Sequence, residues 1–147
     1  MGILVGQQLR VDGNTVQSGM FSTEEFQRFP EAARIDDLTQ VVPGREGRAV
    51  RLWALFEQCP PDSDVTHITL HASHDGFAAS LPIADVKDVG LIVYELAGAP
   101  LTEETGGPFR FLIEKAAPCK TAELDACANV KYLDRIEYTI GKGLDTR

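Results

Sequence analysis

Apolar and polar positions alternate along several segments in the second half of the chain. Residues 65–72 place three apolar side chains on one side of an extended backbone and three polar ones on the other: Ile68, Leu70 and Ala72 against His67, Thr69 and His71. A period of two is typical of a strand with one buried face. Residues 91–96, 109–114 and 130–140 are rich in β-branched and aromatic residues and predict three more strands.

The first half carries one clear helix start. Ser22 is followed three residues later by Glu25, which is the spacing of a capping box, and Phe21 and Phe26 stand where a hydrophobic staple places its two apolar residues. The pattern predicts a short helix that begins at Ser22 and ends by residue 29, because a residue before proline avoids the helical region. Residues 9–11 and the following Asp-Gly pair predict a strand and a turn before this helix.

A second helix is predicted after a polar segment. Ala49, Leu52, Trp53 and Phe56 recur at i, i+3, i+4 and i+7, which places them on one face of a helix. We therefore expect Trp53 to be buried. The prolines at residues 60 and 61 end the helix.

The order of these elements predicts a fold class. Strands outnumber helices, the helices lie mainly in the first half, and no repeat or linker divides the 147 residues. We expect one α+β domain over residues 1–147, with a mixed β-sheet and a few short helices.

Composition narrows the classes of partner. The chain has 14 Lys and Arg against 22 Asp and Glu, a formal net charge of −8. Nucleic acid is excluded as the main partner because phosphate binding needs clustered cations. No apolar run approaches the ~20 residues that span a bilayer. The first residues lack the features of a signal peptide, so we expect a cytoplasmic protein without membrane contact.

The three cysteines are Cys59, Cys119 and Cys127, and no CxxC pair is present. This pattern indicates neither a disulfide framework nor a zinc site, so we expect reduced thiols. A bridge between Cys119 and Cys127 stays open if the polar stretch between them folds back as a hairpin-like loop.

The familiar catalytic and metal motifs are missing. His67 and His71 would lie about 13 Å apart along a strand, too far to share a zinc ion, and His74 near the turn adds no ligand set. No GxSxG nucleophile motif and no GxxxxGK[ST] or GxGxxG phosphate loop occurs. We assign no catalytic residue and no metal ligand.

Three motifs in the second half occur in a recognisable order. They are HASHDGFAASLPI at residues 71–83, VYELAGAPL at residues 93–101 and ETGGPFRFLI at residues 104–113. Together with GRAVRL at residues 47–52 and NVKYLDRIE at residues 129–137, they resemble the oxidoreductase molybdopterin-binding domain. The resemblance implies a sulfite oxidase-like α+β fold and molybdopterin as the candidate cofactor.

The sequence departs from this family where the metal is held. The family's molybdenum-ligating cysteine lies just upstream of the segment that matches residues 47–52, but residues 38–44 read LTQVVPG and contain no cysteine. A soft thiolate is the donor that such a redox metal prefers, and Thr or Gln cannot replace it. The resemblance thus implies a small, divergent member of the family.

The same resemblance suggests three cofactor-binding residues. Arg110 matches the motif arginine, Thr105 stands at the motif's His or Asn position, and the family pattern brings His71 to the same mouth of the sheet. A guanidinium suits a pterin phosphate because it is permanently charged and bidentate. The alternative for Arg110 is an ordinary ion pair at a strand end.

Two functions remain open from the sequence. The first is a binding or interaction module with an unidentified protein partner and a residual cleft for a pterin or small oxyanion. The second is an active molybdenum-molybdopterin oxidoreductase. A homodimer formed through edge strands is a third, structural expectation.

Overall fold

The computed structural model describes residues 7–116 and 124–147, and in these residues two β-sheets pack against each other. The strands are β1 (Gln8–Gly13), β2 (Gly19–Ser22), β3 (Arg34–Ile35), β4 (Arg48–Arg51), β5 (His67–Ala72), β6 (Phe77–Pro82), β7 (Gly90–Leu96), β8 (Ala99–Pro100), β9 (Phe109–Ile113), β10 (Val130–Leu133) and β11 (Arg135–Thr139). The helices are α1 (Thr23–Gln27), α2 (Leu52–Gln58) and α3 (Ile83–Val86).

The two sheets differ in strand direction. The first sheet has the order β2-β1-β11-β5-β6, and it is mixed because β1 runs parallel to β11 while its other pairs are antiparallel. The second sheet has the order β10-β9-β7-β4-β3, with β8 beside β7, and all its pairs are antiparallel. The predicted α+β class with a mixed sheet and short helices is confirmed.

The main hydrophobic core lies between the sheets. Ile68 and Leu70 from the first sheet meet Ile92, Phe109 and Phe111 from the second, and all five are fully buried. Burial of this kind is the main favourable term in folding.

A smaller cluster covers the other face of the second sheet. Leu91, Val93 and Leu112 point away from the main core, and Leu38 and Leu101 cover them from two loops. The outer face of the second sheet is therefore partly enclosed, and the candidate site lies there.

Helix α1 confirms the expected start signal. Ser22 is its N-cap and forms the complete capping box with Glu25. The rings of Phe21 and Phe26 stack with their centroids 5.8 Å apart. The helix ends at Gln27, ahead of the proline, as expected.

The second predicted helix begins later than its periodicity indicated. Ala49 lies in strand β4 and pairs with Val93 of β7, so the prediction that it shares a helical face is wrong. In α2 the buried residues are Leu52, Ala54 and Leu55, whereas Trp53 is only partly buried. Ala49 fits the helical spacing because β4 is covered on both faces and its side chains are apolar for that reason.

The segment predicted as one strand over residues 130–140 forms two strands in different sheets. Asp134 separates β10 from β11, and its N–H donates to the His71 carbonyl at 3.0 Å. The break lets the chain cross from the second sheet to the first.

The cysteines differ from the expectation of reduced thiols. Cys127 is disulfide-bonded, which corrects that expectation for this residue. Cys59 is free and buried, and its Sγ donates to the Gln17 carbonyl at 3.0 Å. Cys119 lies outside the described residues, so the suggested pairing of Cys119 with Cys127 is untested.

No helix within residues 7–116 and 124–147 is long and apolar enough to cross a membrane.

Candidate functional site

A cleft opens on the outer face of the second sheet, and we call it the Arg110 cleft. Its volume is about 280 Å³ and it is open to solvent. It is lined by Leu38, Arg45, Glu46, Val93, Leu96, Leu101, Thr105, Arg110 and Leu112. The cleft is small beside the ~300–1,000 Å³ of typical ligand pockets. Its walls are apolar, and its charges come from three side chains.

Strand alternation places Arg110 in this cleft. Phe109 and Phe111 point into the main core, so Arg110 between them points to the outer face, beside Val93 of the neighbouring strand. The guanidinium is thus presented by the middle of a sheet rather than by a loose loop.

Arg110 is half-buried and has no carboxylate partner. Among the residues that the structure describes, no Asp or Glu lies within 4.0 Å of its guanidinium. Burial lowers the pKa of Arg110, the charge of Arg45 lowers it further, and Tyr132 acts in the opposite sense. Arginine nonetheless stays protonated in proteins. A positive charge with few compensating groups is the main electrostatic feature of the cleft.

Glycine permits the close packing next to Arg110. Gly106 has a φ of +89°, and a Cβ built there would lie 3.1 Å from Arg110 Cδ and 3.2 Å from Lys131 Cβ. Its carbonyl accepts the Tyr132 N–H at 2.7 Å. The left-handed backbone and the missing side chain both favour glycine at this position.

Thr105 lines the same cleft, but its hydroxyl serves the local turn. Thr105 Oγ1 accepts the Thr102 N–H at 2.8 Å and donates to the Thr102 carbonyl at 3.1 Å. The hydroxyl proton is therefore already engaged. Thr105 shapes the rim, and Arg110 supplies the stronger donor groups.

The structure does not bring His71 to this cleft. Because Ile68 and Leu70 point into the main core, His71 points to the outer face of the first sheet, on the far side of the sandwich from Arg110. There its Nε2 lies 2.9 Å from Glu137 Oε1. The family pattern placed His71 beside Arg110 and Thr105, and only the latter two share a site.

Sequence reasoning missed two charged residues of the cleft. Arg45 and Glu46 come from the loop before β4, between Gly44 and Gly47. A pair of charged residues flanked by glycines is a signal of an exposed turn. Nothing local indicated that this turn folds over Arg110.

The donor set of the cleft does not resemble a metal centre. Within the described ranges, no three or more His, Cys, Asp or Glu residues are grouped to hold a metal ion. The described lining contains one carboxylate, Glu46, and no thiol. A guanidinium and apolar walls fit the phosphate or oxyanion end of a ligand, and they do not fit the thiolate-bound metal of a molybdenum cofactor.

Comparison with known proteins defines the class. Residues 46–142, about two thirds of the chain, match the oxidoreductase molybdopterin binding domain family. The protein belongs to this family. The match includes Arg110, Thr105 and the two loop residues Arg45's neighbour Glu46 and Gly47, whereas Arg45 lies one residue before it.

A solved structure supports the fold. The chain superposes on the sulfane dehydrogenase SoxCD from Paracoccus pantotrophus with a TM-score of 0.66 at 16% sequence identity. The match covers 92% of this chain and 39% of that chain, so this chain spans about two fifths of its length. At this identity the likeness concerns the fold alone. No curated protein sequence matches the chain significantly.

Proposed function

We propose that this protein is a divergent molybdopterin-binding-domain protein whose Arg110 cleft binds a phosphate-bearing pterin or a small oxyanion, without a thiolate-held molybdenum. The observation that carries the proposal is the half-buried guanidinium of Arg110, which has no carboxylate partner among the described residues and lies between apolar walls. Family membership supports the choice of ligand, because the arginine belongs to a motif of that domain.

The electrostatics of the chain strengthen this argument. A protein of net charge −8 repels anions in general, so affinity for an anion must come from a local, oriented donor. A partly desolvated guanidinium gains from an anion because charge-assisted hydrogen bonds replace water that burial has removed. An ion pair with a protein carboxylate was the alternative role of Arg110, and no such carboxylate lies within reach in the described residues.

An active molybdenum oxidoreductase is the second candidate, and membership of the family favours it. Against it stands the chemistry of the lining: no cysteine occurs among the described residues around the cleft, and residues 38–44 contain none. The molybdenum content of the purified protein separates the two candidates.

A titration with inorganic phosphate tests the proposed anion site. Amide NMR shifts of the wild-type protein should move near Arg110, and Arg110→Ala should lower the affinity by about tenfold to a hundredfold, which is the contribution expected of hydrogen bonds to a charged group. Lys142→Ala removes an exposed cation outside the cleft and should leave binding intact. Absent shifts near Arg110, or shifts that persist in Arg110→Ala, contradict the proposal.

The disulfide at Cys127 bears on location. Disulfides persist in oxidising compartments and are rare in the cytosol. The bond therefore supports an oxidising compartment instead of the cytoplasmic location expected from the sequence.

A further inference from the structure

The loop that carries Arg45 is anchored on both sides of that residue. The Leu38 N–H donates to the Gly47 carbonyl at 3.0 Å, which closes the loop, and the Leu38 side chain is 1% exposed in the smaller hydrophobic cluster. The Arg45 N–H donates to the Val42 carbonyl at 3.1 Å. The backbone therefore holds Arg45 at the rim of the Arg110 cleft.

Arg45 and Arg110 approach the same space from different elements. Arg110 rises from strand β9 and Arg45 comes from the closed loop, and both line the cleft. Neither guanidinium has a carboxylate within 4.0 Å in the described part of the chain. Two like charges that face one small volume repel each other, and an anion between them turns this repulsion into two attractions.

We infer that Arg45 is a second anion-binding residue, which makes the cleft a two-guanidinium site for a tetrahedral dianion of the sulfate or phosphate monoester class. This inference rests on the proposed function and names the charge that the site prefers. A doubly charged oxyanion has enough oxygen atoms to accept from both forks, whereas one guanidinium already neutralises a monoanion. The small volume restricts the bound part to the oxyanion head.

Glu46 makes the preference for charge sharper. It lines the same cleft, so the three charged side chains there sum to one positive charge. An anion that engages only one guanidinium gains little against the nearby carboxylate, and one that engages both gains more. Removing the charge with Glu46→Gln should therefore strengthen anion binding severalfold.

Sulfate and perchlorate provide the test because they share a tetrahedral shape and differ in charge. Isothermal titration and amide NMR shifts on the full chain should show tighter binding of sulfate than of perchlorate. Arg45→Gln should lower the sulfate affinity by about tenfold and the perchlorate affinity by much less, so the ratio between the two falls. Arg28→Gln, a change at an exposed arginine outside the cleft lining, is the matched control and should leave both affinities unchanged.

The outcomes separate this inference from the function on which it rests. If Arg110→Ala removes sulfate binding but Arg45→Gln leaves both the affinity and the ratio unchanged, the second site residue is refuted and the Arg110 site stands. If wild-type protein binds neither anion near Arg110, both the inference and the proposed function are refuted. A weaker affinity in Glu46→Gln also contradicts the inference, because it gives the carboxylate the opposite role.

Discussion

Asp145 lies on the last segment of the chain and connects it to strand β6. Its carboxylate accepts the Ser80 N–H at 3.1 Å and pairs with Arg147 at 2.6 Å. Burial alone would raise the pKa of Asp145, but the hydrogen bonds from Arg147 and Ser80 outweigh it and lower the pKa to about 2. The ionised carboxylate therefore stabilises the folded state.

Acid should weaken this connection in a defined range. Because the folded pKa of about 2 lies below the model value of 3.8, the stabilisation is present above pH 5 and is lost as the pH falls toward 2. Asp145→Asn should cost about 1–2 kcal/mol at pH 7, less near pH 2. Urea unfolding at both pH values measures the difference. Asp64→Asn at an exposed site is the control, and an equal cost of Asp145→Asn at both pH values contradicts the assignment.

Single residues differ in how far the sequence determined their role. Arg110 and Thr105 were found because motif spacing follows the strand and turn that carry them. His71 was correctly expected to alternate with the buried Ile68 and Leu70, but the pattern of one strand does not say which outer face of a two-sheet fold it joins. Arg45 was missed because its proximity to Arg110 depends on a loop crossing another strand.

Helix α2 shows the corresponding limit for an element. The predicted apolar face ran through Trp53, whereas the buried face runs through Leu52, Leu55 and Cys59, at i, i+3 and i+7. Both sets satisfy helical spacing, and the packing against the sheet selects one of them. Burial of the α2 residues thus gives a test of the helix orientation.

Truncation of Leu55 should cost more than truncation of Trp53. Leu55 is 0% exposed, and Leu55→Ala should lower the free energy of unfolding by about 2–5 kcal/mol because it leaves a cavity in the core. Trp53 is partly exposed, so Trp53→Ala should cost less despite the larger side chain. Urea denaturation of the two variants decides the order, and a larger loss for Trp53→Ala means that the helix is rotated.

The break between β10 and β11 was readable in the sequence but was not read. Leu133 and Ile136 are both buried and stand three residues apart, which interrupts the period of two. The prediction relied on the alternation after residue 136 and extended it backward. A change of period inside an apolar segment indicates a break in the strand.

At the scale of the whole molecule, the sandwich separates two polar surfaces. The outer face of the first sheet carries His71 paired with Glu137, and the outer face of the second carries the Arg110 cleft. The fold class was predictable because short alternating strands and few helices allow few architectures. The pairing of strands into two sheets was not, because it depends on contacts between residues far apart in the chain.

The state of the cysteines gives a prediction for the whole chain. When the oxidised protein is unfolded without reductant and treated with a thiol reagent, the peptide containing Cys59 should be labelled. The peptide containing Cys127 should be labelled only after reduction. Mass spectrometry of the digested protein reads both peptides. Labelling of Cys127 without reductant contradicts the disulfide and removes the support for an oxidising compartment.

The molybdenum content of the purified protein tests the central claim most directly. The chain belongs to a molybdopterin-binding family, yet the described lining of its cleft offers guanidinium groups and no thiolate. Protein made in a molybdenum-replete host that synthesises the cofactor should contain far less than one molybdenum per chain by elemental mass spectrometry. Stoichiometric molybdenum, retained with a pterin chromophore through purification, would contradict this account and establish the oxidoreductase alternative.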